Sequence, residues 1–171
     1  MSEPIETPWE GCFIAVKTQG KWEYVSRTRG IQAAVILAID AGEVILVEQF
    51  RVPLGQRCLE LPAGLVGDEE EGEAVETSAA RELEEETGYR PASVESLGFF
   101  HASPGMVTEG FTLVRAQGLE RVGPGGGEGD EDITVHRVPL TDIPDFVAAK
   151  RAEGVAIDVK LLLLLASSIL G

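Results

Sequence analysis

Residues 67–89 read GDEEEGEAVETSAARELEEETGY, and ten of these twenty-three positions are Asp or Glu, with Arg81 the one base. Charges this dense repel one another, so the segment is either a solvated acidic surface or a place where a cation belongs. On a helix, Glu82, Glu85 and Glu86 lie within about 100° of one another, while Glu84 points elsewhere. Three carboxylates on one face are costly unless positive charge sits among them. Hard oxygen donors suit Mg²⁺ or Mn²⁺, and Mg²⁺ in turn favours phosphate-bearing substrates. Arg81 and Glu85 stand four apart, a spacing for an ion pair that steadies one carboxylate. Ala79, Ala80 and Leu83 form an adjoining small apolar face suited to packing on a sheet.

Such a helix needs a scaffold, and the flanking sequence supplies one. CFIAVK and KWEYVSR are expected as two strands around a Gln19–Gly20 turn. IQAAVILAID is nearly continuous and apolar, the pattern of a strand buried on both faces. EVILVEQFR follows as its hairpin partner after Ala41–Gly42, and CLELPAG is a short strand ending at Pro-Ala-Gly. The acidic helix spans about Glu73 to Thr87, with Gly88 as its stop. SVESLGFFH, TLVRAQG and ITVHRVPL are further strands. RVGPGGGEGDED is expected to be a mobile loop. DIPDFVAAKRAEG and DVKLLLLLASSIL read as two closing helices, the second buried. The order of elements predicts a mixed sheet with helices on both faces.

The whole chain narrows the function. Its 171 residues suit one domain. A formal net charge of −15 argues against nucleic acid or an anionic membrane as partner. An anionic small molecule is still admissible where a divalent cation stands between it and the carboxylates. LLLLLASSIL is too short to span a bilayer, and the N-terminus has neither the basic nor the apolar region of a signal peptide. A cytoplasmic protein is expected, with Cys12 and Cys58 as reduced, buried small hydrophobes. His101 and His136 are isolated and read as hydrogen-bonded strand residues.

Gly67, Glu73, Arg81, Glu82, Leu83, Glu85, Glu86, Gly88 and Tyr89 fit G-x5-E-x7-R-E-U-x-E-E-x-G-U, where U is bulky and apolar. This resembles the Nudix box, the signature of hydrolases of nucleoside diphosphates linked to another group; Tyr89 stands where an aliphatic residue is usual. EQFR, LELPAG, RELEEETGY and SPG followed by Glu109 are similar to ADP-ribose pyrophosphatases from Ile31 to about Val138, and Pro104 falls fifteen residues after the box. In that branch the Gly of Leu-Pro-Ala-Gly opens the pattern. Here it is Gly64, which implies a three-residue insertion in the loop 65–72, with Gly67 matching by coincidence and Asp68 to Glu71 as solvated loop charges.

The resemblance implies an α+β fold: a Nudix-type α/β/α sandwich with a mixed sheet over residues 31–171. Residues 1–30 would be an N-terminal β extension used in a homodimer. It implies Mg²⁺, or Mn²⁺, held by Glu82, Glu86 and Glu85 with the backbone carbonyl of Ala63. Arg81 would be supporting, and a loop carboxylate would act as general base: Glu131, with Glu128, Asp130, Asp132 and Glu109 as rivals. Pro104 and Glu109 would belong to the substrate loop. Arg51 would contact phosphate or the terminal ribose, or would otherwise be a sheet-edge ion pair. Trp22 and Tyr24 would stack on the base in a partner's site, or would otherwise pack on their own strand. The implied reaction takes ADP-ribose to AMP and ribose 5-phosphate. The alternatives are another nucleoside diphosphate sugar, such as GDP-mannose, and a Nudix module that binds a nucleotide without chemistry.

Overall fold

A computed structural model of the chain describes residues 3–28, 31–67, 72–127, 129 and 131–171. Asp68 to Glu71, Glu128 and Asp130, for which roles were expected, lie outside the described residues.

Three strands, β1 (Glu6–Glu10), β2 (Ile14–Gln19) and β3 (Trp22–Arg27), form an antiparallel sheet of their own. The strand β1 was not expected from the sequence. It is exposed along its whole length, so it carries no alternation of buried and exposed residues to betray it.

An eight-stranded sheet holds the rest of the scaffold. β4 (Gln32–Asp40) and β5 (Glu43–Arg51) meet as a hairpin, but pair only at Ile39 with Val44 and Asp40 with Glu43 before they diverge. β6 (Gln56–Glu60) pairs with β5. The chain then crosses at Leu61–Pro62, and β7 (Ala63–Val66) pairs with β4 instead. The Pro62 carbonyl accepts from Ile36 N–H at 2.8 Å at the crossing. Thus the segment LELPAG spans the gap between the two diverging strands.

The helix α1 (Val75–Thr87) follows, then β8 (Tyr89–Arg90), β9 (Ser93–His101) and β10 (Gly110–Gln117). β10 lies parallel to β4 and antiparallel to β9. A two-residue strand, β11 (Glu120–Arg121), pairs with β8; β12 (Thr134–Pro139) pairs with β5. The chain closes with α2 (Ile143–Ala152), β13 (Ala156–Ile157) beside β6, and α3 (Leu162–Leu170).

Alternate residues of β4 feed two cores. Ala34, Ile36 and Ala38 pack with Ala79 and Leu83 of α1. Val35 and Leu37 pack with Ile143 and Val147 of α2 and with Leu161 and Leu165. This is the expected mixed sheet with helices on both faces. The C-terminal helix is less buried than its leucine run suggests. Leu161 and Leu165 face the core four positions apart, whereas Leu162 and Leu163 are each half exposed, because a helix offers only one stripe to a sheet. Cys58 is buried as expected; Cys12 is exposed, because the N-terminal sheet has no core of its own to take it.

Candidate active site

The divergence of β4 from β5 opens a cavity of about 510 Å³. Glu82 and Glu86 from α1, Ala63 and Gly64 from β7, and Glu131 line one part of it; Arg51, Arg27 and Lys160 bring positive charge to its wall. The cavity is therefore bipolar, with carboxylates and cations both within one small molecule's reach.

Packing sets the carboxylates in place. Leu83 and Ala79, both fully buried, fix the rotation of α1, so the residues on the adjoining face turn toward the cavity. A side chain at Gly64 would overlap the carboxylate of Glu82, so only glycine admits that close approach. Gly67 answers a different need, a turn with φ of 83°. Gly64 is thus the glycine tied to the acidic face, in keeping with the reading that it opens the loop.

Glu86 is only 6% exposed, and its Oε2 accepts from the backbone N–H of Ala63 at 3.2 Å. Burial pushes its carboxyl up to about 8, with the nearby Glu82 and Glu131 adding to the rise and the Ala63 N–H and Arg51 opposing it. A buried carboxylate that faces two others asks for an external cation.

Arg81 Nη1 binds Glu85 Oε2 at 3.2 Å, the expected i,i+4 pair, and lies 3.5 Å from Glu82 and, through Nη2, 3.6 Å from Glu73. Glu85 is not part of the cavity wall. Glu84 is bound to Arg90 by two contacts of 2.8 Å, away from the cavity, as its spacing indicated. Among the described residues, no three His, Cys, Asp or Glu side chains are gathered tightly enough to hold a metal ion. The structure brings Glu82 and Glu86 together with Glu131 at the cavity but leaves Glu85 with Arg81.

The glycine-rich loop departs most from expectation. Its first half is pinned to the end of α1: Gly126 N–H donates to the Glu86 carbonyl at 2.8 Å and Gly127 N–H to that of Glu85 at 3.2 Å. The last carbonyls of a helix lack intrahelical donors, and the loop supplies them. A side chain on Gly125 would collide with the backbone of Thr87, so that glycine serves close approach. Val122 and Gly123 bind the Gly88 carbonyl in the same way.

The rival bases are separated by their partners. Asp132 is paired with Arg57 at 3.0 Å, and Glu109 accepts from Arg27 Nε at 2.8 Å. Glu131 lines the cavity. Arg51 fulfils both of its readings: its Nε and Nη2 donate to Glu60 at 2.6 and 2.8 Å, and it lines the cavity. Pro104 is exposed in the loop before β10 and is not on the wall, whereas Glu109 is. Trp22 and Tyr24 do not line the cavity of their own chain. His136 is a hydrogen-bonded strand residue as expected, 3.0 Å from Glu48; exposed His101 packs edge-on against Phe99. Burial pushes the Cys58 thiol up to about 12, which leaves it inert.

Sequence reading missed Arg27, Glu60 and Lys160. Glu60 had a signal, a charge between two leucines in an apolar strand. Arg27 reaches the cavity only because β3 docks along the loop before β10, through Val25 N–H to the Met106 carbonyl and Thr108 N–H to that of Val25, both 2.9 Å. Lys160 is placed by the turn between β13 and α3, where Asp158 holds its Nζ at 2.8 Å. Neither has a local signature.

Comparison with known proteins adds three findings. The NUDIX domain model matches residues 28–158. A methanol dehydrogenase activator of Bacillus methanolicus is 36% identical over 119 residues, 69% of this chain, and an ADP-ribose pyrophosphatase of Bacillus subtilis (strain 168) is 39% identical over 119 residues, 68% of this chain. The matches span 63% and 62% of those relatives' own lengths. The crystal structure of an ADP compounds hydrolase superposes with a TM-score of 0.74 at 21% identity, covering 99% of this chain and 93% of that one.

Proposed function

Because the chain belongs to the NUDIX family, we propose that it hydrolyses the pyrophosphate bond of a nucleoside diphosphate derivative, with ADP-ribose, giving AMP and ribose 5-phosphate, as the substrate. The observation that carries this reading is the bipolar cavity: Glu82 and Glu86 face Arg51 and Lys160 across a space sized for a nucleotide's diphosphate and sugar. The Bacillus subtilis relative and the solved structure, named for ADP-ribose and ADP compounds, support the choice of substrate.

The donor set fits a divalent cation of the Mg²⁺ type. Such an ion needs only one or two carboxylates, because it keeps several waters and takes phosphate oxygens besides. Glu86, buried beside Glu82 with one backbone N–H for company, meets that requirement, and Ala63 stands next to both. A cation held there would supply charge against the phosphate oxygens and acidify a water. Glu85 and Arg81 brace the face that Glu82 and Glu86 present. Glu131, which lines the cavity with Glu82 and Glu86, takes the proton from the attacking water. Arg51, already oriented by Glu60, binds a phosphate or the terminal ribose.

A homodimer completes the reading. Trp9 and Trp22, 53% and 57% exposed, mark the N-terminal sheet as a surface for a second copy, where Trp22 and Tyr24 would meet the partner's base.

The decisive experiment is a panel of nucleoside diphosphate derivatives, ADP-ribose and GDP-mannose among them, incubated with Mg²⁺ while released monophosphate is followed. Fastest turnover of ADP-ribose is expected. Preference for another sugar nucleotide would move the substrate, and no turnover of any would leave a binding module.

A further inference from the structure

The segment that carries Glu131 is held at a second point, on the far side from its glycine contacts with α1. Arg57 of β6 makes five hydrogen bonds. Its Nε donates to Glu48 Oε1 at 2.8 Å and its Nη2 to the Glu48 carbonyl at 2.7 Å. It also donates to Asp132 Oδ2 at 3.0 Å, to the Asp132 carbonyl at 3.3 Å and to Thr134 Oγ1 at 3.0 Å. One guanidinium thus grips both the side chain and the backbone of the residue that follows Glu131. Its planar fork suits this task in a way that a lysine ammonium does not.

The grip has a rigid base. Glu48, 6% exposed on β5, also receives Lys150 Nζ and His136 Nε2, each at 3.0 Å. Arg57 is therefore held from beneath by a strand in the centre of the sheet and reaches outward to the loop. On the other side, Ile133 is 8% exposed and its N–H binds the Gly126 carbonyl at 3.3 Å, so the segment is closed onto the glycines that cap α1. The Glu131 side chain folds over Gly127, where any larger residue would overlap it.

We propose that Arg57, backed by Glu48, is a positioning residue that holds Glu131 at the cavity beside Glu82 and Glu86. The inference rests on the hydrolase reading with Glu131 as the base. A base displaced by about 1 Å can lose on the order of a hundredfold in rate, so a two-point mount for a single carboxylate has a clear use.

Two variants of the full chain test it, R57Q and D132N. The Asp132 side chain is 86% exposed, so D132N keeps the fold and tests the anchor independently of R57Q. Amide hydrogen exchange in peptides containing Glu131 to Thr134 reads the anchor without reference to any reaction. Exchange there is expected to rise about tenfold or more in both variants, while the β4 and β5 amides stay as they were. With the diphosphate substrate, R57Q is expected to lower kcat about tenfold while KM stays within about threefold, and R57K to fall between R57Q and the native protein. The double variant R57Q/E131Q should be no slower than E131Q, since both changes act through one group. Unchanged exchange at Glu131 to Thr134 would overturn the anchor, and losses that multiply in the double variant would overturn its action through Glu131. A native protein with no turnover of any diphosphate derivative refutes the hydrolase reading instead, and the exchange result then still decides the anchor.

Discussion

Glu86 and Glu48 are each 6% exposed, yet their carboxyls are driven in opposite directions. Burial raises Glu86, and its carboxylate neighbours raise it further. Burial works against ionisation of Glu48 as well, but hydrogen bonds from Lys150, Arg57 and His136 outweigh it and hold that carboxyl below the usual range. The difference lies in the partners and not in the depth. Where the protein supplies its own cations, a buried charge joins strands together. Where it withholds them, the charge is left for something from outside.

Breaking each carboxylate should give opposite results. E86Q is expected to cost on the order of 10³-fold in kcat with Mg²⁺ present, measured by released monophosphate. The melting temperature of the metal-free protein should not fall, since the amide replaces a carboxyl that is protonated below about pH 8 and an unneutralised buried charge above it. Loss of stability without loss of rate would reverse the assignment.

E48Q is expected to destabilise by about 2–3 kcal/mol, the cost of a broken buried pair reduced for the partial exposure of Arg57 and Lys150. In a chain of this size, that lowers the melting temperature by roughly 5–10 °C.

The same contrast should appear against pH. Glu86 has a folded value above its unfolded one, so its contribution is favourable at low pH. It is lost as pH rises from the ordinary carboxylate range through about 8. Glu48 has a depressed folded value, so its contribution is present above the ordinary range and is lost as pH falls through that lower value. A cation bound at Glu86 must displace a proton below about pH 8, so Mg²⁺ affinity should weaken about tenfold between pH 7.5 and 6.5, with close to one proton released per ion. Titration calorimetry in buffers of different ionisation enthalpy checks both. The smallest effect belongs to E84Q, whose partner Arg90 lies outside the cavity. Activity within about twofold and a melting temperature within about 1 °C are expected.

What the sequence reveals follows the range of the interaction. Glu82, Glu86, the Arg81–Glu85 pair and the stop at Gly88 are set within one helix, where spacing alone determines which side chains meet. The two-faced burial of Ala34 to Leu37 is likewise visible in an unbroken apolar run. Arg27 reaches its place through contacts with a loop far along the chain, Lys160 through a turn with no periodicity, and Arg57 links Glu48, nine positions back, to Asp132, seventy-five positions on. The glycine-rich loop misled for a related reason. Glycine permits motion and close approach alike, and the carbonyls at the end of α1 that bind Gly126 and Gly127 lie outside any local pattern.

The crossing at Leu61–Pro62 bears on how the chain acquires its shape. The carboxylates and cations face one another only after β6 has joined β5, β7 has joined β4, and β10 has reached β4 with Phe111 opposite Ala33. That last pairing is parallel and distant along the chain, so its loop-closure entropy is paid before any contact rewards it. During synthesis, a nascent chain that has emerged only as far as α1 holds the acidic helix and Arg51 but lacks Glu109, Glu131 and Lys160 of the wall. The cavity is therefore complete only once the chain as far as Lys160 is free to pack.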